Sequence, residues 1–208
     1  MSDELRAVVR AGYDRVSESY LARRTTESAD VAFLDELIGR LPSSARVLDA
    51  GCGAGVPVTQ RLLGAGARTV GLDFSAAQLG LAHTHAPEAA PVQGDLAHLP
   101  FATASFDALV SFYAIIHVPR DDHPTVFAEV HRVLKPSGGA LVCVGANDLP
   151  EDLDPESWLG GPMYWSHYGA DTNRVLIEAA GLEIVEDRVI PDPMDHSGHL
   201  FVLARKPS

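Results

Sequence analysis

The chain is poor in cysteine, short of basic charge and free of long apolar runs. Cys52 and Cys143 form no paired spacing, which argues against a disulfide scaffold or a zinc knuckle. No stretch approaches the roughly eighteen apolar residues of a membrane-spanning helix. The opening MSDELRAVVRAGYDR is charged where a secretory signal has an apolar centre, so a cytoplasmic location is expected. Lys and Arg number 16 against 28 Asp and Glu, a net charge of −12, and no Lys/Arg cluster offers phosphates a basic groove. Neither a nucleic acid nor an anionic membrane is therefore expected as a partner. With 208 residues the chain suits one well-buried core, and a single domain over 1–208 is expected.

Short β-rich runs alternate with helical patterns. Strands are expected at 45–50, 68–73, 90–94, 106–113, 138–144, 183–190 and 199–205, and helices at 56–65, 75–85, 124–134 and 171–180. In GARTVGLDFS a glycine closes one helix, an apolar run follows, and Ser75 caps the next helix. Such alternation predicts an α/β fold, a mainly parallel sheet covered on both faces. Ahead of it, Val31, Leu34, Leu37, Ile38 and Leu41 recur at helical spacing within 29–41. Segment 4–24 places Tyr13 and Tyr20 seven residues apart, on one helix face. The 146–171 stretch, rich in Pro, Gly and acidic residues, reads as a long loop, yet it holds Trp158, Met163, Tyr164, Trp165 and Tyr168. Those aromatics suit either a lid over a pocket or a cluster pinning the loop to the core.

VLDAGCGAG (47–55) sets glycines at 51, 53 and 55 directly after an apolar run. No Gly-Lys-Ser/Thr triplet follows anywhere, which excludes a P-loop. Val56 stands where a dinucleotide fingerprint needs a third small residue, which argues against a pyrophosphate cofactor. Asp49 ends the first strand, Asp73 ends the second and Asp95 follows the third. In a parallel sheet all three reach the carboxyl edge, where ligands bind at the topological switch point. Asp73 suits two ribose hydroxyls, Asp95 an exocyclic amine and Asp49 an ammonium group; a nucleoside joined to an amino acid would use all three. For Asp49 and Asp73 the competing role is a cap.

These motifs, with GLDFS (71–75), GDLAHLPF (94–101), FDALVSFYAIIHVP (106–119), HRVLKPSGGALV (131–142) and the upstream YDRVSESY (13–20), resemble the class I S-adenosylmethionine-dependent methyltransferases, closest to the small-molecule branch that includes quinone-type enzymes. The resemblance implies a Rossmann-like sheet of seven strands, mostly parallel, the last antiparallel and inserted beside the fifth. It implies S-adenosylmethionine as cofactor. Gly51 and Gly53 would admit the methionine moiety and Asp73 would hold the ribose. Phe74 would pack on the adenine, with Asp95 and Leu96 on its other side. Ser111 and Phe112 would face the methionine portion, and Tyr20 would close over the cofactor. The activity implied is methyl transfer to a small organic acceptor at oxygen, nitrogen or carbon, with the N-terminal helices (1–41) and the 148–170 loop as substrate cap. Rival activities are a non-methylating reaction of the same fold, such as cyclisation or decarboxylation, and non-catalytic ligand binding.

Methyl transfer calls for alignment, exclusion of water and, for an oxygen or nitrogen acceptor, a base titrating near neutrality. His117, just past the fourth strand, is the candidate base, with bracing of its loop as the alternative. Tyr113 is a candidate for the pocket wall. With the last strand antiparallel, His196 and His199 reach the same edge as His117, and Trp165 and His167 come from the aromatic loop. That set reads as substrate-binding, as a base with its orienting partner, or, with Asp195, as a metal site; no metal is expected.

Overall fold

The computed structural model describes residues 2–194 and 197–208. Two helices, α1 (Ser2–Leu21) and α2 (Ala29–Ile38), precede β1 (Arg46–Ala50). Then follow α3 (Val58–Gly64), β2 (Arg68–Asp73), α4 (Ala76–His85), β3 (Ala90–Gln93) and β4 (Phe106–Ser111). After α5 (His123–Val133) and β5 (Leu134–Gly145) come β6 (Leu149–Trp158), β7 (Gly161–His167), α6 (Ala170–Ala179), β8 (Glu183–Pro191) and β9 (Gly198–Arg205). Seven strands form one sheet in the order β3-β2-β1-β4-β5-β9-β8. The ladders joining β3, β2, β1, β4 and β5 are parallel, while β9 pairs antiparallel with both β5 and β8. The expected sheet, with its last strand inserted beside the fifth, is the one observed.

The central strands read as near-continuous apolar runs because helices cover both of their faces. On one face Phe33, Leu34 and Leu37 of α2 and Leu62 of α3 pack with Val47, Val110 and Phe201. On the other, Val126, Phe127, Val130 and Val133 of α5 form a buried stripe against Phe106, Leu109 and Leu141's neighbours Ala140 and Val142. Strand order reverses beside β1, whose next strand β2 lies on one side and β4 on the other. A crevice therefore opens at the carboxyl ends of β1 and β4.

Residues 146–171 do not form the expected loop. Most of them make an antiparallel hairpin of β6 and β7, joined through Leu159 and Gly160, both with positive φ (56° and 87°). Two left-handed residues match the twist of a two-residue hairpin turn. Pro150 and Pro155 masked the strand in the sequence. Both fall where the register shifts, between Leu149 and Asp152 and between Asp154 and Trp158, so a proline there interrupts a ladder that is already broken. Met163 and Tyr164 are buried with Val9 of α1.

Helix α1 lies against this hairpin at a seam made of glycine. A Cβ on Gly12 would run into the Pro162 carbonyl oxygen, and one on Gly161 into the Val16 side chain. Gly12→Val should therefore unseat α1 at a cost of about 1–3 kcal/mol, the usual range for overpacking. The check is a lower thermal midpoint together with faster proteolytic cleavage within residues 2–21.

Candidate functional site

A cavity occupies the crevice. Its floor comes from the strand ends: Gly51 and Gly53 after β1, Asp73 and Phe74 after β2, Asp95 and Leu96 after β3, and Phe112 and Tyr113 after β4. Its roof comes from α1, through Arg6, Val9, Tyr13 and Tyr20. Gly51 has a φ of +85°, and a Cβ there would collide with the Cβ of Ala114. Only glycine lets the first loop lie this close to the fourth.

Asp73 organises the floor. Its Oδ2 accepts from the Gly53 N–H and its Oδ1 from the Ser75 N–H, both at 2.9 Å. Burial pushes its carboxyl up to about 6, against the downward pull of the Ser75, Gly53 and Phe74 N–H groups. Asp95 also lines the cavity, but its carboxylate is engaged. It accepts from the Ala97 N–H at 2.8 Å and pairs with Arg6 at 2.9 Å. Arg6 also reaches Asp122 at 2.8 Å, so it rivets α1 to two loops. Asp14 of the same helix accepts from the Ser75 hydroxyl at 2.6 Å.

Two expected cofactor residues do not reach the cavity. Asp49 is buried behind the glycine loop, where its Oδ2 accepts from the Thr59 hydroxyl at 2.6 Å. Burial pushes its carboxyl up to about 7, against that bond. Ser111 is buried and its hydroxyl is unpartnered, because β4 points it into the sheet rather than past its end. Sequence reading missed Arg6 and Gln78. Gln78 is 1% exposed in the cavity wall, and neither atom of its amide has a partner.

At the opposite wall His117 is fixed from both sides. One ring nitrogen, Nδ1, lies 2.7 Å from the Tyr164 carbonyl oxygen, which only a donor can satisfy. Nε2 is thereby the acceptor, and the Tyr13 hydroxyl donates to it at 2.9 Å. Burial pushes His117 down to about 4, against the Tyr164 bond, and raises the Tyr13 phenol well above its ordinary value. Trp165 packs on the His117 ring and Trp158 on Tyr13, each behind the cavity wall rather than in it. Tyr113 holds a φ of +55°, donates to buried Asp30 at 3.0 Å and carries the Arg24 guanidinium 4.7 Å above its ring.

Residues 47–138 match the family described as "Methyltransferase domain". Those 92 of the 208 residues form a methyltransferase domain. Methyltransferase GfsG of Streptomyces halstedii is 33% identical over 164 residues, which are 73% of this chain and 58% of that protein. A 2-phytyl-1,4-naphtoquinone methyltransferase of Thermosynechococcus vestitus is 36% identical over 107 residues, 49% of this chain and 47% of that protein. Against several other curated relatives the chain spans only 29% to 31% of their length. The crystal structure of the Burkholderia thailandensis 1,6-didemethyltoxoflavin-N1-methyltransferase, with 1,6-didemethyltoxoflavin and S-adenosylhomocysteine bound, superposes with a TM-score of 0.78. That match covers all of this chain and 91% of the other, and at 24% identity it is a likeness of fold.

The methyltransferase domain does not gather the expected histidines around one mouth. The His167 Nδ1 is tied to the Asn147 carbonyl at 2.8 Å, and a Cβ on Gly145 would meet its ring. His199 sits behind Tyr113, rings 5.4 Å apart, with Asp192 at 3.5 Å from its Nε2. Neither lines the cavity: His167 ends β7 and His199 lies near the start of β9, both outside its walls. His196, with Asp195, lies outside the described residues. Among the described residues no group of three or more His, Cys, Asp or Glu is placed to hold a metal ion, and no helix is long and apolar enough to cross a membrane.

The electrostatics of His117 are checkable. Its folded value of about 4 lies below the ordinary 6.5, so it contributes stability above pH 6.5 that is lost as pH falls toward 4. The stability difference between the wild type and His117→Asn should shrink across that window, by up to about 3 kcal/mol. Denaturant titrations at pH 4, 5.5 and 7 measure it. A difference that stays constant with pH would show that His117 is not held neutral by burial.

Proposed function

We propose that this chain transfers a methyl group from S-adenosylmethionine to a small organic acceptor. The observation that carries this reading is one cavity that joins the Asp73–glycine floor to the Tyr13–His117 wall. The residues present fit the cofactor: the cavity lies at the carboxyl edge of the sheet, its loops are bare at Gly51 and Gly53, and Gln78 in its wall has an unpaired amide. When bound, the cofactor supplies an electrophilic methyl on a positively charged sulfur. Asp73 would accept from the ribose hydroxyls, and Phe74 and Leu96 would flank the adenine. Asp95, already held by Arg6, would couple that end of the site to α1.

The chain's remaining task is alignment, water exclusion and disposal of a proton. Helix α1 forms the cap directly, and the β6–β7 hairpin backs it; α2 packs under the sheet and takes no part. An acceptor hydroxyl or amine beside Tyr13 would pass its proton to the Tyr13 oxygen as the Tyr13 proton moves to Nε2 of His117. The Tyr164 carbonyl would hold the resulting imidazolium. Burial keeps His117 neutral at pH 7, so it can accept. Its value of about 4 makes it a weaker base than the near-neutral one expected from the sequence, and the positive charge it gains must be held by the Tyr164 carbonyl. The acidic balance of the chain favours a metabolite over a nucleic acid, and we take the cytoplasm as its working location.

Calorimetry should show S-adenosylmethionine and S-adenosylhomocysteine binding. Asp73→Asn should weaken both by about 10–100-fold, the worth of a lost charged acceptor. Wild-type affinity should also fall as pH drops below about 6, where Asp73 takes a proton. Unaltered binding by the variant would remove Asp73 from the site. With a metabolite extract, mass spectrometry should find products one methyl heavier alongside S-adenosylhomocysteine; an isomerised product without it would point to a non-methylating reaction.

A further inference from the structure

Most of α1 is clamped. From Val9 onward it packs on Met163 and Tyr164 and meets the hairpin at the Gly12–Gly161 seam. It also bonds to His117 through Tyr13 and to the α4 cap through Asp14. Its first two turns are held differently. Asp3, Glu4 and Ala7 are exposed, and Leu5 is only half-buried against the Met163 cluster. Among the described residues of that stretch, only Arg6 makes a polar contact with another element, and it makes two. Its guanidinium reaches Asp122, just ahead of α5, at 2.8 Å and Asp95, after β3, at 2.9 Å. The first contact is a hydrogen bond. In the second the Nε–H is not aimed at the carboxylate and has no acceptor, which leaves a contact of charges alone. The side chains of Arg6, Asp95 and Asp122 remain 19%, 33% and 32% exposed, so water and ions reach both pairs. Pairs this open are weak and screened by salt. A helix end with few buried apolar contacts opens at small cost. Arg6 therefore bars the end of the cavity walled by Asp95 and Leu96, with a bolt that can be drawn while the rest of α1 stays in place.

We propose that Arg6 is a salt-sensitive latch on residues 3–8: this stretch opens and recloses locally over the Asp95 end of the cavity, and its opening sets the rate of cofactor exchange. The exchange rests on the cofactor reading above; the latch does not. A latch that holds equally over an empty and a filled cavity changes entry and departure alike and leaves affinity nearly unaltered.

Surface plasmon resonance of the whole chain with S-adenosylhomocysteine, which carries no net charge, tests this at about 0.05 and about 0.5 M salt. Wild type should associate and dissociate about fivefold faster at the higher salt, and Arg6→Met should be fast at both. Asp122 lies outside the cavity wall and makes no capping bond to α5. Asp122→Asn should give intermediate rates and keep its affinity within about twofold of wild type. In the ligand-free protein, Arg6→Met should speed amide hydrogen exchange at residues 6–9 about fivefold and leave residues 13–20 as in wild type. Equal rates in all three proteins at both salts, or exchange that rises along the whole helix, overturns the latch. If wild type binds no S-adenosylhomocysteine, the cofactor reading fails, while hydrogen exchange still decides whether Arg6 holds the segment.

Discussion

The site depends on one carboxylate. Asp73 ends β2 and binds two backbone N–H groups from different loops, Gly53 of the glycine turn and Ser75 at the start of α4. The Gly51 and Cys52 N–H groups also pin the glycine turn to the Leu72 carbonyl, at 2.7 and 2.9 Å, and the shared acceptor ties the start of α4 to it. The same pair of bonds keeps a buried carboxyl ionisable near neutrality, since N–H donors favour the charged form that burial disfavours. A single side chain therefore sets loop position and charge.

Helix α1 turns that open floor into an enclosed chamber. It is fastened by polar contacts along its length, with Arg6 on Asp95 and Asp122, Tyr13 on His117 and Asp14 on the α4 cap. Partly buried ion pairs of this kind contribute little net stability, but they fix register. Apolar packing of Val9 with Met163 and Tyr164 supplies the adhesion. The hairpin does double service: its outer aromatics seat α1, and the Tyr164 carbonyl sets the tautomer of His117. The helix that roofs the cavity therefore also bonds the histidine ring, through Tyr13.

Much of the architecture was legible because it rests on local rules. Apolar runs marked β1, β2 and β4, glycine bounding the first two, and Ser75 announced α4 in the position the structure shows. Acidic residues after successive parallel strands pointed to one edge, and Asp73 stands in the cavity as expected. The hairpin was hidden because prolines and carboxylates suppress strand patterns, although a ribbon with shifts of register tolerates them. Asp49 and Ser111, expected at the cofactor, are buried outside the cavity for another reason. Position at a strand end names the edge, but one residue more or less of strand turns a side chain inward.

What the sequence determined by itself is the sheet, the glycine loop and the identity of the carboxylate beneath it, all products of periodicity and of backbone conformations open only to a few residue types. What only tertiary structure decided is which groups meet across the chain. Arg6 and Asp95 are 89 positions apart, and Tyr13 and His117 are 104 apart. No local pattern encodes such a meeting. It follows from where a helix comes to rest on a hairpin, and that is set by the shapes of both.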